Sequence, residues 1–314
     1  MPNGWNTRTG LRLEGVQEAV AEVLAEHTPG GLRAGELDRG GRALRWLEAG
    51  PVTAAPIVLV AGNGTSSLTW APLLPELAEL GRVVAYDRAG LGASDPDRAP
   101  VLTLAAQVGD LAALVRRLDA GPAVLVGHSW GGQLAQLLAR RRPELVAGLV
   151  LVDPAHEDFR PWAISVIETV LLRIGLLRAG LRRGAPAPDR AVPGSAGALA
   201  RAEAAVLAHP HQRRAVLAEN RLSNRATARL RRLRAAGPLP EVPVTVLSAT
   251  EGLPRALRAR FTAAQARITA GAARGVHRVV PGVGHAVHED RPGVVAAAVR
   301  EVSEQVRNAR DAGL

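Results

Sequence analysis

The sequence predicts an α/β fold with a mostly parallel central sheet, and three observations support this class. Short apolar runs of the kind found in buried strands recur along the chain. Segments with helical periodicity separate these runs, among them 103–119 and 133–141. The length of 314 residues suits one large domain with an insertion. Because strands and helices alternate, we expect parallel pairing through right-handed crossovers, with helices flanking the sheet.

The order of elements can be predicted along the chain. An N-terminal helical extension is expected over residues 1–36, because Val16, Val20, Val23 and Leu24 form one apolar face of a helix over 11–27. An alternating strand over 41–48 opens the sheet. Six short apolar strands are then expected, at 57–61, 82–86, 123–127, 148–152, 243–248 and 276–280.

Residues 155–237 break this rhythm. They are helical in pattern and rich in Leu, Ala and Arg, with a Pro/Gly-rich loop over 184–197. We therefore predict a helical lid over 155–237, inserted into a core formed by 1–154 and 238–314. Apolar lid residues are expected either to pack on the core or, with Trp70 and Trp162, to line a pocket for an apolar substrate; they are Ile164, Ile167, Leu171, Ile174 and Leu177 or Leu181.

A candidate nucleophile lies in the segment Gly127-His128-Ser129-Trp130-Gly131-Gly132. An apolar strand precedes it and a helical segment follows, so Ser129 is expected on a sharp strand-to-helix turn. Such a turn exposes the hydroxyl to a base, and it needs small residues at Gly127 and Gly131, where side chains would collide. The alternative is a glycine-rich loop whose serine caps the helix.

A serine nucleophile needs a histidine base, and His285 is the preferred candidate of the eight histidines. It follows the last predicted strand in a loop with glycines beside it, from which it can reach the turn at Ser129. His288 is the rival, although its place in the next turn favours a surface or packing role. The remaining candidates considered, His128, His209 and His211, are expected to be non-catalytic.

These motifs resemble those of α/β-hydrolases over about residues 37–310. GHSWGG resembles the nucleophile turn of that family, and Gly282–Pro292 resembles its histidine loop. The loop at Tyr86–Asp95 resembles a structural loop that follows a family strand. The resemblance implies two backbone N–H groups as oxyanion donors, those of Asn63 and Trp130. Many relatives have His-Gly where this chain has Ala61-Gly62, which does not affect the donor at Asn63.

The acid that orients the histidine has two candidates. In many α/β-hydrolases it follows the strand at 243–248, and the matching position here falls on Gly252, with Glu251 one residue away. The alternative is Asp153, at the end of the strand over 148–152, where many haloalkane dehalogenases carry their acid. We favour Asp153, against a purely structural turn role before Pro154.

The resemblance to haloalkane dehalogenases extends to Asn63 and Trp130, which match the pair that binds halide in those enzymes. Their nucleophile is an aspartate, whereas Ser129 attacking an alkyl carbon would form an ether that cannot turn over. The sequence therefore predicts a serine hydrolase that cleaves an ester-like bond of a small, largely apolar substrate, with Ser129, Asp153 and His285 as the triad. The alternative function is a non-catalytic receptor or small-molecule binding protein with the same fold.

The amino-acid composition excludes several kinds of site and partner. The chain has no cysteine, which excludes disulfides and thiolate metal sites, and we expect neither a metal nor a cofactor. It contains no apolar run long enough to span a membrane, so we expect a cytoplasmic protein. Most of the net charge of +10 comes from residues 156–240, which contain fifteen arginines and six acidic residues. No nucleic-acid-binding motif accompanies them, so the only predicted partner is a small-molecule substrate, and the oligomeric state is left open.

Overall fold

The computed structural model describes residues 20, 24–25, 28, 31–52, 55–97, 102–159, 169–170, 172–177 and 195–312. The described strands are β1 (Arg33–Asp38), β2 (Ala43–Ala49), β3 (Ile57–Val60), β4 (Val83–Tyr86), β5 (Ala123–His128), β6 (Val146–Val152), β7 (Pro243–Ala249) and β8 (Arg274–Val280). They form one sheet in the order β1-β2-β4-β3-β5-β6-β7-β8. All neighbours from β4 through β3 to β8 pair in parallel, whereas β2 is antiparallel to both β1 and β4. The predicted α/β-hydrolase sheet, mostly parallel and flanked by helices, is thus confirmed.

Strand β1 was not predicted, and it begins inside the range assigned to the N-terminal helical extension. Its sequence, RAGELD, has no apolar run, because it is an edge strand that pairs only with β2 and keeps much of its surface in solvent. The glycine in it is required, since a Cβ on Gly35 would lie 2.0 Å from the ring of Trp46 on the paired strand. The other strands match the predicted runs to within two residues at either end.

The helices whose bounds both lie in the described ranges are α1 (Leu74–Leu80), α2 (Leu104–Leu118), α3 (Trp130–Arg141), α4 (Ser195–Ala208), α5 (Pro210–Arg225), α6 (Thr227–Ala235), α7 (Arg255–Ala270), α8 (Val287–Asp290) and α9 (Pro292–Asp311). Two 3₁₀ turns are added at Ser67–Trp70 and Pro143–Leu145. Alternate strand residues point to opposite faces of the sheet, as Leu59 and Val60 do. One face packs on α1, α8 and α9 and the other on α2 and α3, so the sheet is buried between two apolar layers.

Helices α4, α5 and α6, here called the insertion helices, lie between β6 and β7, within the range predicted as a lid. Of the apolar lid residues named from the sequence, Ile174 and Leu177 are exposed, at 42% and 64%. Ile164, Ile167, Leu171, Leu181 and Trp162 lie outside the described residues. Trp70 is fully buried in the core and packs on the ring of His288, 4.5 Å between centroids. The lid and core boundaries stay a prediction.

None of the helices in the described ranges has both the length and the apolar character needed to cross a membrane.

Candidate active site

Ser129 occupies a strained turn between β5 and α3. Its φ of 49° and ψ of −115° lie in a region that non-glycine residues rarely adopt. Backbone hydrogen bonds hold the turn in place, since the Ser129 N–H donates to Val152 and the Ser129 carbonyl accepts from Gly132 and Ala155, at 3.0–3.1 Å. The first helix turn also needs Gly131, because a Cβ there would lie 2.0 Å from the carbonyl oxygen of Val60. The surrounding backbone thus holds Ser129 in an unfavourable conformation.

His285 lies in the loop between β8 and α8. Backbone bonds tie this loop to the end of β7, since the N–H groups of Thr250 and Glu251 both donate to the carbonyl of Val283. The imidazole Nδ1 of His285 lies 2.6 Å from Oδ2 of Asp153. A carboxylate accepts at this contact, so Nδ1 carries the proton and Nε2 is the basic nitrogen of the neutral ring. The ring is about half exposed, whereas the Asp153 side chain is fully buried.

Asp153 follows β6 directly, with a φ of 38°. Besides His285, its carboxylate accepts hydrogen bonds from the Ala249 N–H at 3.1 Å, the Gln265 amide at 2.9 Å and the Arg258 guanidinium at 3.2 Å. Burial by itself would raise the pKa of Asp153, but these partners outweigh it and hold the pKa below its ordinary value. The carboxylate is therefore charged at neutral pH and oriented from four directions.

Glu251, the alternative acid, is exposed and does not contact the imidazole through any described bond. Its carboxylate accepts a hydrogen bond from the neighbouring Thr250 hydroxyl at 3.2 Å. Its backbone carbonyl accepts from Arg258 at 2.5 Å, so the residue supports the guanidinium that contacts Asp153.

Ser129 and His285 line one cavity of about 400 Å³, which also reaches Asn63 and Trp130. Its apolar wall is formed by Phe159, Leu253 and Phe261, with the two phenyl rings stacked 4.6 Å apart. Polar side chains line the rest, namely Asn63, Thr65, His128, His156, Asn220, Ser223 and Arg258. A cavity of this size accommodates a small organic molecule beside the serine and the histidine.

His288 packs behind this site and is fully buried. Its Nε2 lies 2.7 Å from the hydroxyl of Thr69, which donates to Glu289 and so accepts from the imidazole. Burial and the nearby His285 lower the pKa of His288 to about 3. His128 is likewise buried, and its Nε2 donates to the carbonyl of His285 at 3.0 Å. Both rings are thus neutral packing groups that support the loop carrying His285.

The two residues that resemble a halide-binding pair have their side-chain donors engaged elsewhere. The indole N–H of Trp130 donates to Oε1 of Gln107 at 2.9 Å, inside the core. The amide of Asn63 donates to the hydroxyl of Ser223 on α5 at 3.3 Å. The sequence-based prediction of an oxyanion hole concerns the backbone N–H groups of these two residues, and these side-chain bonds do not involve them.

Several residues at the site escaped the sequence analysis. Arg258 is buried against Asp153. Glu219 on α5 is buried against Arg88, whose guanidinium donates to both carboxylate oxygens at 2.6 and 2.8 Å. A charged residue in an arginine-rich helical segment is most often a surface residue, so neither carried a signal. Within the described ranges, no group of three or more His, Asp or Glu side chains is arranged to hold a metal ion.

Comparisons with known proteins give a consistent family. A model of the α/β hydrolase family matches residues 57–298. The chain is 41% identical over 103 residues to the uncharacterised protein YqjL of Bacillus subtilis, 42% identical over 106 residues to the lipase LipV of Mycobacterium tuberculosis, and 38% identical over 117 residues to a haloalkane dehalogenase of Sphingobium indicum. These segments cover 32–36% of this chain and only 39–40% of each relative.

Solved structures extend the likeness over most of the chain. The epoxide hydrolase CorEH superposes with a TM-score of 0.69 at 20% identity, covering 88% of this chain and 99% of that one. The haloalkane dehalogenase DatA of Agrobacterium tumefaciens C58 superposes with a TM-score of 0.68 at 21% identity, covering 88% and 97%. At these identities the likeness establishes the fold alone. Because the family model spans well over half of the 314 residues, the chain belongs to the α/β hydrolase family.

Proposed function

We propose that this α/β hydrolase is a serine hydrolase that cleaves an ester-like bond of a small, largely apolar substrate through an acyl-enzyme. The observation that carries the proposal is the 2.6 Å contact of His285 Nδ1 with the buried carboxylate of Asp153, at a cavity that Ser129 also lines. This contact fixes the tautomer that presents Nε2 as a base.

In the proposed reaction, Ser129 Oγ attacks the substrate carbonyl while His285 Nε2 takes its proton. Asp153 stabilises the imidazolium that forms. The backbone N–H groups of Asn63 and Trp130 donate to the oxyanion, a contribution on the order of 3 kcal/mol per donor. Collapse of the tetrahedral intermediate breaks the bond to the leaving group, which receives the proton from His285. Water, deprotonated by His285, then attacks the acyl-enzyme and regenerates Ser129.

Two observations favour carbonyl chemistry over dehalogenation. A serine that displaces halide from an alkyl carbon forms an ether, and His285 cannot activate water to cleave it. The indole N–H of Trp130, which would have to face a departing halide, donates to Gln107. The dehalogenase likeness therefore concerns the framework of the protein and not its reaction.

The proposal is tested with a fluorophosphonate probe and a panel of p-nitrophenyl esters from acetate to octanoate. We expect stoichiometric labelling of Ser129 and multiple-turnover hydrolysis, with Ser129→Ala and His285→Ala each lowering kcat by at least about 10³ because the triad acts as a unit. His209→Ala, on the insertion, is the matched histidine control and should keep wild-type rates.

Failure of Ser129 to react with the probe, together with absent turnover, would favour a binding protein over an enzyme. Sustained halide release from bromoalkanes that depends on Ser129 would overturn the carbonyl mechanism. Retention of more than a tenth of the esterase activity in Ser129→Ala would exclude Ser129 as the nucleophile.

A further inference from the structure

The buried face of α5 is unusual because it is largely polar. Gln212, Val216, Glu219 and Ser223 are the buried residues of this helix, and their spacing places them on one side. Helices that merely cover a core bury an apolar stripe. The polar side of α5 instead lies against the Asn63 loop, here defined as Ala61–Ser66, and against the loop that follows β4.

Glu219 is the centre of this contact and is almost fully buried. Its Oε2 accepts from the backbone N–H of Gly64 at 2.7 Å, directly after Asn63 in the chain. Both carboxylate oxygens also accept from Arg88, at 2.6 and 2.8 Å. One carboxylate from the insertion thus binds the residue that follows a proposed oxyanion donor.

Arg88 holds the other side of the same loop. Its guanidinium donates to the carbonyl of Ala61 at 2.7 Å and to that of Gly62 at 2.5 Å. Gly64 has a φ of +70°, and a Cβ there would lie 2.8 Å from Val216 on α5, so the helix touches the loop closely. Peptide groups on both sides of Asn63 are therefore fixed by Arg88 and Glu219.

The second proposed donor is connected to the same carboxylate. The side-chain amide nitrogen of Gln107 donates to Oε1 of Glu219 at 2.5 Å, and its side-chain oxygen Oε1 accepts from the indole N–H of Trp130 at 2.9 Å. A single carboxylate on α5 thus lies at the junction of two hydrogen-bond chains. One ends at the peptide groups on either side of Asn63, and the other ends at the indole of Trp130.

We propose that Glu219 is a positioning residue, through which docking of α5 sets the two backbone N–H groups of the oxyanion hole. The proposal rests on the proposed serine hydrolase function and adds the insertion to its machinery. Stability alone does not require an ion pair here, since buried ion pairs can commonly be replaced by apolar residues of similar volume without loss. A charged pair that binds three backbone groups of one loop is suited to fixing that loop.

The test compares an ester with the thionoester that has sulfur in place of the carbonyl oxygen. Sulfur is larger and a weaker acceptor, so an intact oxyanion hole favours the ester, and the ester-to-thionoester ratio of kcat reports on the hole. We expect Glu219→Gln to lower kcat for the ester on the order of 10- to 100-fold with KM within threefold, and to shrink this ratio.

Because Glu219→Gln leaves Arg88 buried without its counter-charge, a second variant keeps the test decisive if the first one unfolds. The double variant Arg88→Met with Glu219→Leu removes both charges and fills their volume, and it should fold while showing the same loss of ratio. Arg231→Gln is the control, since it removes an exposed ion pair of α6 with Asp158, 2.9 Å long, away from the Asn63 loop. It should retain the wild-type ratio.

Equal loss of ester and thionoester turnover in the folded double variant, with the ratio unchanged, would overturn the positioning role. Unchanged kcat in that variant would do the same while leaving the serine mechanism intact. A wild-type protein that hydrolyses neither substrate and does not react with fluorophosphonate would instead remove the proposed function itself.

Discussion

At the residue scale, the carboxylate of Asp153 contacts four different groups. It is fully buried, lies at the end of β6 and accepts hydrogen bonds from a backbone N–H, an amide, a guanidinium and the imidazole of His285. Arg258 shares the carboxylate with the imidazole, so the negative charge is divided between two cations once His285 is protonated. Substitutions at and near Asp153 therefore separate its role from that of its neighbours.

Replacing Asp153 by Asn keeps the volume but removes the negative charge that, in the proposed mechanism, stabilises the imidazolium of His285. We expect a folded protein whose kcat on p-nitrophenyl esters is lower by about 10³–10⁴, as expected for loss of a triad acid. Glu251→Gln is the matched comparison and should remain within threefold of the wild type, because its carboxylate is exposed and bonded only locally. A larger loss in Glu251→Gln than in Asp153→Asn would assign the acid to the loop after β7.

At the scale of elements, the turn between β5 and α3 depends on close backbone contacts. The helix begins directly against β3, and the Cβ of any residue at 131 would overlap the carbonyls of Val60 and Ala61, at 2.0 and 2.5 Å. These carbonyls belong to a strand end and its loop, so they cannot move without disturbing the sheet and the Asn63 loop.

We expect Gly131→Ala to destabilise the protein by at least about 3 kcal/mol or to prevent its accumulation, since the clash involves backbone on both sides. Gly109→Ala on α2 is the control. The added methyl there has one neighbour at 3.9 Å, so the better helix propensity should raise stability by about 0.5–1 kcal/mol. Chemical denaturation measures both changes, and equal stability of the two variants would contradict the packing account.

These elements also show which structural features can be predicted from the sequence and which cannot. The turn at Ser129 and the parallel strands could be predicted because apolar runs, glycines and helical periodicity are local signals. Strand β1 could not, because an exposed edge strand lacks an apolar run. Glu219 could not either, since its burial depends on a partner far away in the chain. Whether Asp153 or Glu251 lies near His285 likewise depends on loop geometry, which the sequence left open.

At the scale of the whole molecule, buried neutral histidines make stability depend on pH. Burial lowers the pKa of His288 to about 3 and of His156 to about 4, and it lowers that of His128 well below the ordinary value. Their contribution to stability is present above pH 6.5, where the unfolded chain is also neutral at these positions, and is lost as pH falls toward the folded pKa values. Asp87 acts in the opposite sense, because burial raises its pKa to about 6.

We expect the Tm to fall by about 10 °C between pH 7.5 and pH 5, because each buried histidine loses roughly 2 kcal/mol at pH 5 and Asp87 offsets only part of it. Differential scanning calorimetry across this range measures the shift. His288→Gln retains a donor toward Thr69 and should flatten the pH dependence. An unchanged or rising Tm at pH 5 would show that these rings are protonated in the native state.

The pairing of Arg88 with Glu219 also bears on how the chain folds. The two residues are 131 positions apart, one beside a core strand and the other on α5. Until α5 docks, the Arg88 guanidinium lacks the carboxylate that it contacts directly, and its burial costs several kcal/mol. The core can therefore not close completely around the end of β4 before the insertion arrives. Core and insertion should accordingly unfold in one cooperative transition. A core from which the insertion has been excised should not reach a native state of its own, because the region around Arg88 would stay open and solvated.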